Sequence, residues 1–359
     1  GLFTSAMYFA PLVGGFVADR AGRWPTILFG VALLAIGYLT LGIGLSFSAS
    51  LAFLATGTGL FKGNFTALVG SLFPTSERDA AYSRFYWAVN LGSLPSGLVG
   101  AWLSARFGFR SAFLLCFAVM ALVIPFGILF RDSFRDAAIV SESAQHHTTD
   151  RERIITILTL LPVAMLFFCA FYQTGTSLTL FAKNNTQPAL LGIPLAPPVY
   201  QSIHPALVLV LTPILVRFFR RWPMTTWKKL SLGMGFCSLS CLVMMDASVV
   251  ASFASSHGRV SPLWLIGSYT LLSIAELCVS PLGFSLVSKI SPPKFAGLLM
   301  GMWMAAIALG NLATGFLGIL WERWSHAAFF GLLTGLSALA IPLLWTQRRR
   351  LDRVLGARP

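Results

Sequence analysis

Long apolar segments separated by short polar loops account for most of this 359-residue chain. Each segment is long enough to cross the hydrocarbon core of a bilayer as a helix, which takes about 20 residues. The eleven predicted spans lie near residues 2–19, 25–46, 50–73, 80–104, 110–130, 154–182, 198–218, 227–250, 262–288, 295–320 and 325–346. The pattern predicts an all-α polytopic membrane protein.

The composition excludes an ordinary soluble domain. Only 11% of the residues are charged and the mean hydropathy is +0.76, whereas about 25% of residues are charged in a typical soluble protein. The five cysteines all fall within predicted spans, so we expect buried thiols and neither a metal site nor a disulfide framework. The sequence shows no nucleophile constellation and no Gly-rich phosphate loop, so it predicts neither an enzyme nor an ATP-driven pump.

The net charge of +14 follows the predicted topology. If the loops alternate between the two sides of the membrane, twenty of the 26 lysines and arginines lie on one side and five on the other, with Lys62 inside a span. The positive-inside rule assigns the basic side to the cytoplasm. We therefore predict a plasma membrane protein with a cytoplasmic C-terminus. Its charge indicates contact with an anionic lipid bilayer rather than nucleic acid, and no obligate protein partner is evident.

A charged, Ser/Thr-rich stretch at residues 131–153 divides the spans into five and six. Its His146 and His147 are expected to be solvated rather than metal-bound. Because the charge pattern places the first residue outside and the last inside, the odd count predicts that a first helix is absent from this sequence. Restoring it gives two six-helix halves, the plan of the major facilitator fold, with a substrate site between them. The predicted units are an N-terminal bundle at 1–135, a linker at 136–152, a C-terminal bundle at 153–346 and a basic tail at 347–359.

Three predicted spans carry a stripe of polar or small residues on an otherwise apolar helix. The stripes are Thr58, Lys62 and Thr66; Tyr86, Asn90, Ser93 and Gly97; and Ser273, Glu276, Ser280 and Gly283. Such stripes face protein or a water-filled cavity rather than lipid. Lys62 and Glu276 are the clear charges at membrane depth, one in each half, and a charge there costs about 2.5–3.5 kcal/mol. We expect these two residues and Ser280 to serve a substrate site; the alternative is a structural role, with each charge satisfied by nearby hydroxyls or carbonyls.

The segment at residues 14–23 reads GGFVADRAGR and resembles the major facilitator signature between its second and third helices. The glycines would allow two helices to approach closely. Asp19 and Arg20 are expected to pair across a short cytoplasmic turn. The resemblance indicates the superfamily and does not identify a substrate.

Three further segments resemble the proton-coupled oligopeptide transporter (POT/PTR) family. Residues 82–94 read YSRFYWAVNLGSL and contain the expected aromatic pair, asparagine, glycine and small residue, which are Phe85, Tyr86, Asn90, Gly92 and Ser93. The segment GTGLFKGNFTALVG resembles the family's GTGxxKPNVS helix, with Gly63 where proline is usual. Residues 273–311 are similar to its tenth and eleventh helices. Together these motifs span almost the whole chain.

The resemblance implies proton-driven uptake of di- and tripeptides, with protons as the coupling ion, small peptides as partners and no other cofactor. Glu276 would receive the amino group of the peptide, and Lys62 would act beside its carboxylate and in proton coupling. Asn90 would hydrogen-bond the peptide backbone. Tyr8 and Trp303 match aromatic residues that line the pocket in the family's second and eleventh helices.

Two positions depart from the family's pattern. The seventh helix normally carries an acidic residue before a Gln-containing turn, and Tyr172 and Gln173 stand there instead. The eighth normally has asparagine before a proline, and His204 takes that place. His204 is either a hydrogen-bonded core residue or a further proton-coupling group beside Lys62 and Glu276, because histidine can titrate near neutral pH.

Other interpretations stay open for the sites and the function. Asn90 could join helices rather than bind substrate, and Tyr8 and Trp303 could be packing aromatics. The solute could be another small organic or nitrate-like molecule, although the carboxylate of Glu276 would repel an anion. The chain could also be a non-transporting receptor or a decayed remnant of a transporter.

Overall fold

The computed structural model describes residues 2–132, 148–195, 197–253 and 258–356 of the chain. Five long helices precede the predicted linker in these ranges. They are α1 (Leu2–Ala21), α2 (Arg23–Gly42), α3 (Phe47–Ser71), α4 (Arg78–Phe107) and α5 (Phe109–Leu129). Residues 136–147 of the predicted linker, which include both of its histidines, lie outside the described residues.

The helices after the linker continue the same pattern. They are α6 (Asp150–Phe171), α7 (Ser177–Asn184), α8 (Pro197–Arg221), α9 (Thr226–Phe253), α10 (Leu263–Ile290), α11 (Ala296–Arg323) and α12 (His326–Val354). A short hairpin of β1 (Ala189–Leu190) and β2 (Ile193–Pro194), which the sequence analysis did not predict, precedes α8. The last helix runs through much of the segment predicted as a basic tail.

Each of the eleven predicted spans falls on a long helix of the described chain, except that the span at 154–182 is divided. A 3₁₀ turn at Tyr172–Gly175 separates α6 from α7. The Gln173 side chain donates to the Cys169 carbonyl and accepts from the hydroxyls of Thr176 and Ser177. The buried amide thus satisfies polar groups where the helix is broken.

Length and composition alone mark eight spans in the described residues as apolar enough to cross a membrane. The helices α3 and α4 are long enough but are not among these eight. Both carry polar stripes predicted to face the interior. A lower mean hydropathy is the expected consequence of that role, because the polar face is shielded from lipid by the other helices.

Backbone-to-backbone contacts hold α1 between α3 and α11. A Cβ atom added at Gly14 would lie 2.1 Å from the carbonyl oxygen of Gly59, and one added at Gly15 would lie 2.2 Å from that of Gly297. Such distances are far below a van der Waals contact and only glycine permits them. The glycines of the GGFVADRAGR motif therefore allow the close approach that the sequence predicts.

Asp19 does not pair with Arg20, contrary to the expectation from the motif. Its two carboxylate oxygens accept hydrogen bonds from the backbone N–H groups of Gly297 and Leu298, each at 2.9 Å. The Arg20 guanidinium lies over the Phe16 ring instead. Unpaired N–H groups and the helix dipole make a helix N-terminus attractive to an anion, and α11 offers both.

Side chains from before and after the linker meet at one end of the bundle, which we call the basic end. There the Asp79 carboxylate of α4 accepts from the ammonium groups of Lys289 at 2.6 Å and Lys229 at 3.4 Å. The neighbouring Arg78 donates to the Ser288 carbonyl at 2.7 Å. Together with the Asp19 contacts, these bonds connect the two halves of the chain at this end.

We predict that Gly14→Ala destabilises the protein, because the new methyl group must push the backbone of α3 away. Overpacking of this kind costs about 1–3 kcal/mol. Thermal unfolding of the purified protein in detergent should show a lower midpoint. Gly318→Ala is the matched control, since nothing lies within 4 Å of the position its Cβ would take. Equal midpoints for both variants would contradict the close packing of α1.

Candidate functional site

A cavity of about 610 Å³ lies between helices from before the linker and helices from after it. Its walls come from α2, α3 and α4 on one side and from α6, α8, α10 and α11 on the other, with Tyr172 from the 3₁₀ turn. The polar residues that line it are Thr58, Lys62, Thr66, Tyr86, Asn90, Ser93, Tyr172, His204, Glu276 and Ser280. Most of the remaining wall is aromatic, from Phe61, Phe65, Phe85, Phe168, Phe171 and Phe284.

Glu276 of α10 is 2% exposed and contacts residues from both halves. The Tyr86 hydroxyl of α4 donates a short hydrogen bond to its Oε1 atom. The Nε2 atom of His204 lies 2.7 Å from its Oε2 atom. That contact is at ion-pair distance but is not aligned as a hydrogen bond, so Oε2 accepts none from the described residues.

Both ring nitrogens of His204 contact α10. The Nδ1 atom lies 2.8 Å from the Ser273 Oγ atom, which is also 2.8 Å from the Tyr269 carbonyl oxygen. The donor in the His204–Ser273 contact depends on the tautomer of the imidazole. Both the neutral tautomer with its proton on Nε2 and the imidazolium place an N–H group opposite the Glu276 carboxylate.

Lys62 of α3 also faces the cavity but does not pair with Glu276. Its side chain is accessible to solvent, and among the described residues its ammonium has neither a hydrogen-bond nor an ion-pair partner. The Lys62 carbonyl accepts from Thr66 at 2.9 Å within the same helix. A cation without a fixed partner can be satisfied by water or by an anionic group of a ligand.

The other predicted polar residues are positioned by their own helices. Asn90 donates to the Tyr86 carbonyl at 2.9 Å, and Ser93 donates to the Asn90 carbonyl at 3.0 Å. The Ser280 hydroxyl lies beside the Tyr86 phenol without an aligned hydrogen bond. The stripes predicted on α3, α4 and α10 therefore bring Lys62, Asn90, Glu276 and Ser280 to one cavity.

Two predicted site residues stand apart from this group. Trp303 is 2% exposed and does not line the cavity. Its ring packs on α10 at Gly283, where an added Cβ would lie 2.2 Å from the ring. Trp303 thus supports the helix that carries Glu276 from behind. The side chain of Tyr8 lies outside the part of the chain whose side chains are described.

Sequence reasoning named His204 as a candidate proton-coupling residue but did not predict that His204 and Tyr86 contact Glu276. Tyr86 was placed in a polar stripe, which was a usable signal, but not among the site residues. Ser273, which orients His204, lies on the Glu276 stripe at i−3 and carried the same signal. Phe171 packs edge-on against the His204 ring at 5.1 Å, and no sequence pattern indicated that contact.

The arrangement has the charges and the apolar surface to hold a ligand of mixed charge. Lys62 offers a cation from one half, Glu276 offers a carboxylate from the other, and apolar rings fill the space around them. No group of His, Cys, Asp and Glu suited to a metal ion occurs among the described residues.

Comparisons with known proteins identify the family. The sequence model of the POT family matches residues 24–131 and 129–328. Peptide transporter YePEPT of Yersinia enterocolitica is 28% identical over an alignment that covers 89% of this chain and 78% of the relative. Dipeptide and tripeptide permease A of Edwardsiella piscicida is 30% identical, with 87% and 76% covered.

A solved POT family transporter, in complex with 5-aminolevulinic acid, has the same fold. The TM-score is 0.75 at 21% sequence identity, and the match covers 97% of this chain and 86% of that one. The fold agreement confirms the predicted all-α architecture of major facilitator type. Because the family's sequence model spans most of the chain, this protein belongs to the POT family.

Proposed function

We propose that this protein is a secondary transporter that takes up di- and tripeptides together with protons by alternating access. The observation that carries the proposal is the cavity between the halves, with Lys62 on one wall and Glu276 on the other. A peptide zwitterion presents an ammonium and a carboxylate at its two ends. The two side chains can hold those ends, and the ligand then connects both halves.

The walls of the cavity support a peptide as the ligand. Its volume lies within the range of about 300–1,000 Å³ that is usual for small-molecule sites. Asn90 and Ser280 are polar groups suited to the peptide backbone, while the phenylalanines offer surface that accepts many side chains. We assign Trp303 to positioning α10, and Tyr8, by family resemblance, to the substrate site.

Related proteins support the same substrate class. Relatives that align with most of this chain carry the names peptide transporter and dipeptide and tripeptide permease. A carboxylate at Glu276 disfavours a site for nitrate or another simple anion. The family is one of transporters, so the chain is not expected to be an enzyme, and we propose no cofactor besides the coupling proton.

Proton coupling is assigned to His204 and Glu276, with Lys62 as a third group. The family's acidic residue in the seventh helix is replaced here by Tyr172. His204 offers another site for the proton, beside the carboxylate that we propose receives the substrate ammonium. Uptake of peptide together with a proton requires that both be bound at once, so the imidazole must keep its proton while the peptide occupies the cavity.

We propose that the basic end faces the cytoplasm in the plasma membrane, as the charge asymmetry indicates. The C-terminus then lies inside, and the β1–β2 hairpin lies outside. The proposed units remain the bundles at 1–135 and 153–346, joined by the linker at 136–152 and followed by the tail at 347–359. The lipid bilayer and small peptides are the proposed partners.

Counterflow of a labelled dipeptide in vesicles tests the substrate class. Unlabelled di- and tripeptides should compete, nitrate should not, and N-acetylated peptides should compete poorly because they lack the ammonium that Glu276 receives. A charge-assisted hydrogen bond of this kind contributes about 1.5–3 kcal/mol, or roughly ten- to hundredfold in affinity. Glu276→Gln should remove most of the difference between free and acetylated peptides.

Thr58→Val, another change in the cavity wall, is the control and should leave that difference intact. If nitrate competed and the peptides did not, the substrate would be an anionic solute and the proposed peptide substrate would be wrong. The absence of flux for every solute tested would favour a receptor or a decayed transporter.

Accumulation and counterflow, measured side by side between pH 5.5 and 8, test the coupling residues. His204→Asn should abolish accumulation against a gradient but spare counterflow, because binding and conformational exchange need no net proton movement. Lys62→Ala should lose accumulation too and also bind peptide carboxylates more weakly. His326→Asn, at the histidine stacked on Trp321, is the matched control and should change neither assay. Normal accumulation by His204→Asn would rule out the proposed proton site.

An added cysteine tests the orientation. Leu191, 95% exposed at the hairpin tip, should react as Leu191→Cys with an impermeant maleimide applied from outside. Arg349→Cys near the end of α12 should react only after the membrane is permeabilised. The reverse pattern would invert the proposed topology.

A further inference from the structure

A second cavity, of about 480 Å³, lies between α4 and α8, away from the substrate cavity. It is lined by Arg84 and Trp87 of α4 and by Pro213, Arg217 and Arg220 of α8, among others. Its arginines are exposed, and so are Trp87 and Pro213. We call it the α4–α8 groove.

A hydrogen bond that depends on Pro213 holds the two sides of this groove together. Pro213 has no N–H, so the Leu209 carbonyl one turn earlier lacks its helical hydrogen-bond donor. The indole N–H of Trp87 donates to that carbonyl at 3.1 Å. The bond joins α4 to α8 and leaves an aromatic face beside the gap, next to apolar side chains of α8.

The three arginines of the groove have no protein counter-charge. Arg84, Arg217 and Arg220 make no hydrogen bond or ion pair with any residue that the structure describes. Other arginines at the same end are satisfied: Arg78 donates to the Ser288 carbonyl, and Arg353 pairs with Glu152. Three guanidinium groups around one gap repel each other unless an anion lies between them.

The depth of the arginines matches the headgroup region of a bilayer. Arg84 lies in the second turn of α4, and Arg217 and Arg220 lie in the last two turns of α8, both at the basic end. Exposed apolar residues continue along α8 toward the membrane centre, with Ile214 56% and Val210 61% exposed. A ligand that fits this surface has an anionic group at the basic end and hydrocarbon below it.

We propose that the α4–α8 groove binds the phosphate of an anionic phospholipid. Guanidinium groups form bidentate hydrogen bonds with phosphate oxygens, and basic pockets between membrane helices suit such headgroups. An acyl chain would lie along Trp87 and Pro213. Since α4 comes before the linker and α8 after it, one lipid molecule contacts both halves of the transporter.

Binding to the full chain, purified in a neutral detergent, tests the proposal without any transport assay. Native mass spectrometry would count the phosphatidylglycerol molecules retained during a titration, with phosphatidylcholine as the neutral comparison. The wild type should retain one phosphatidylglycerol in preference to phosphatidylcholine. The triple variant Arg84→Gln, Arg217→Gln, Arg220→Gln should bind it about fivefold more weakly per arginine, on the order of a hundredfold in all.

The matched control replaces three arginines that lie outside the groove, as Arg131→Gln, Arg221→Gln, Arg349→Gln, and should bind like the wild type. Arg220→Gln alone, at the exposed end of α8, should show about a fivefold loss and serves if the triple variant does not fold. Equal losses in the groove and control variants would overturn the site. Displacement of the lipid by inorganic phosphate at equal concentration would show a site for free phosphate rather than for a lipid.

Discussion

The carboxylate of Glu276 is the group on which the arrangement of the interior depends. A charge at this depth needs a partner, because neither lipid nor the apolar rings around it can solvate the ion. In this structure the partners are Tyr86 from α4 and His204 from α8. A single buried group therefore connects three helices, two of them on one side of the linker and one on the other. Any conformation that separates α4 from α10 must replace the Tyr86 hydrogen bond, either with water or with a ligand.

The contacts at the basic end differ from this buried contact in their access to water. The Asp79 side chain is 31% exposed in its ion pairs with Lys229 and Lys289. Water that reaches the carboxylate can replace a lysine when the two separate. Several contacts of this kind close one end of the bundle, and each can be exchanged for water. Such reversibility is what a transporter needs when its cavity must open to each side in turn.

The spans and the stripes could be predicted because both are periodic features of single helices. Lys62, Asn90, Glu276 and Ser280 were placed in one cavity from their spacing and from the cost of a charge in lipid. The contact between Glu276 and His204 could not be predicted, because it depends on how far α8 rotates to bring His204 inward. The sequence also could not predict that Lys62 and Glu276 do not touch. The distance between two helices in a bundle cannot be derived from the polar stripe on either one.

The motif at residues 14–23 was only partly interpretable. Its glycines predicted close helix contact, but Asp19 was expected to pair with the side chain next to it. Its partners are backbone N–H groups nearly 280 residues away, at the start of a helix where such groups lack intrahelical acceptors. Backbone donors leave no trace in a sequence, so local patterns favour a neighbouring charge. The hydrogen bond of the Trp87 indole could not be predicted for the same reason. Its acceptor is the Leu209 carbonyl, which has no helical donor because Pro213 lacks an N–H group.

The glycine surfaces of α1 have a mechanical consequence. Where Gly15 meets Gly297, the two helices touch through main-chain atoms, with no side chain between them. Interlocked side chains must change rotamer before two helices can slide or part, whereas bare backbones have no rotamers to change. Movement of α1 across α11 at this contact must break the two hydrogen bonds of Asp19. It requires no change of side-chain rotamer where the two backbones meet. This backbone contact makes α1 and α11 suited to act as a hinge about which one half of the protein rotates relative to the other.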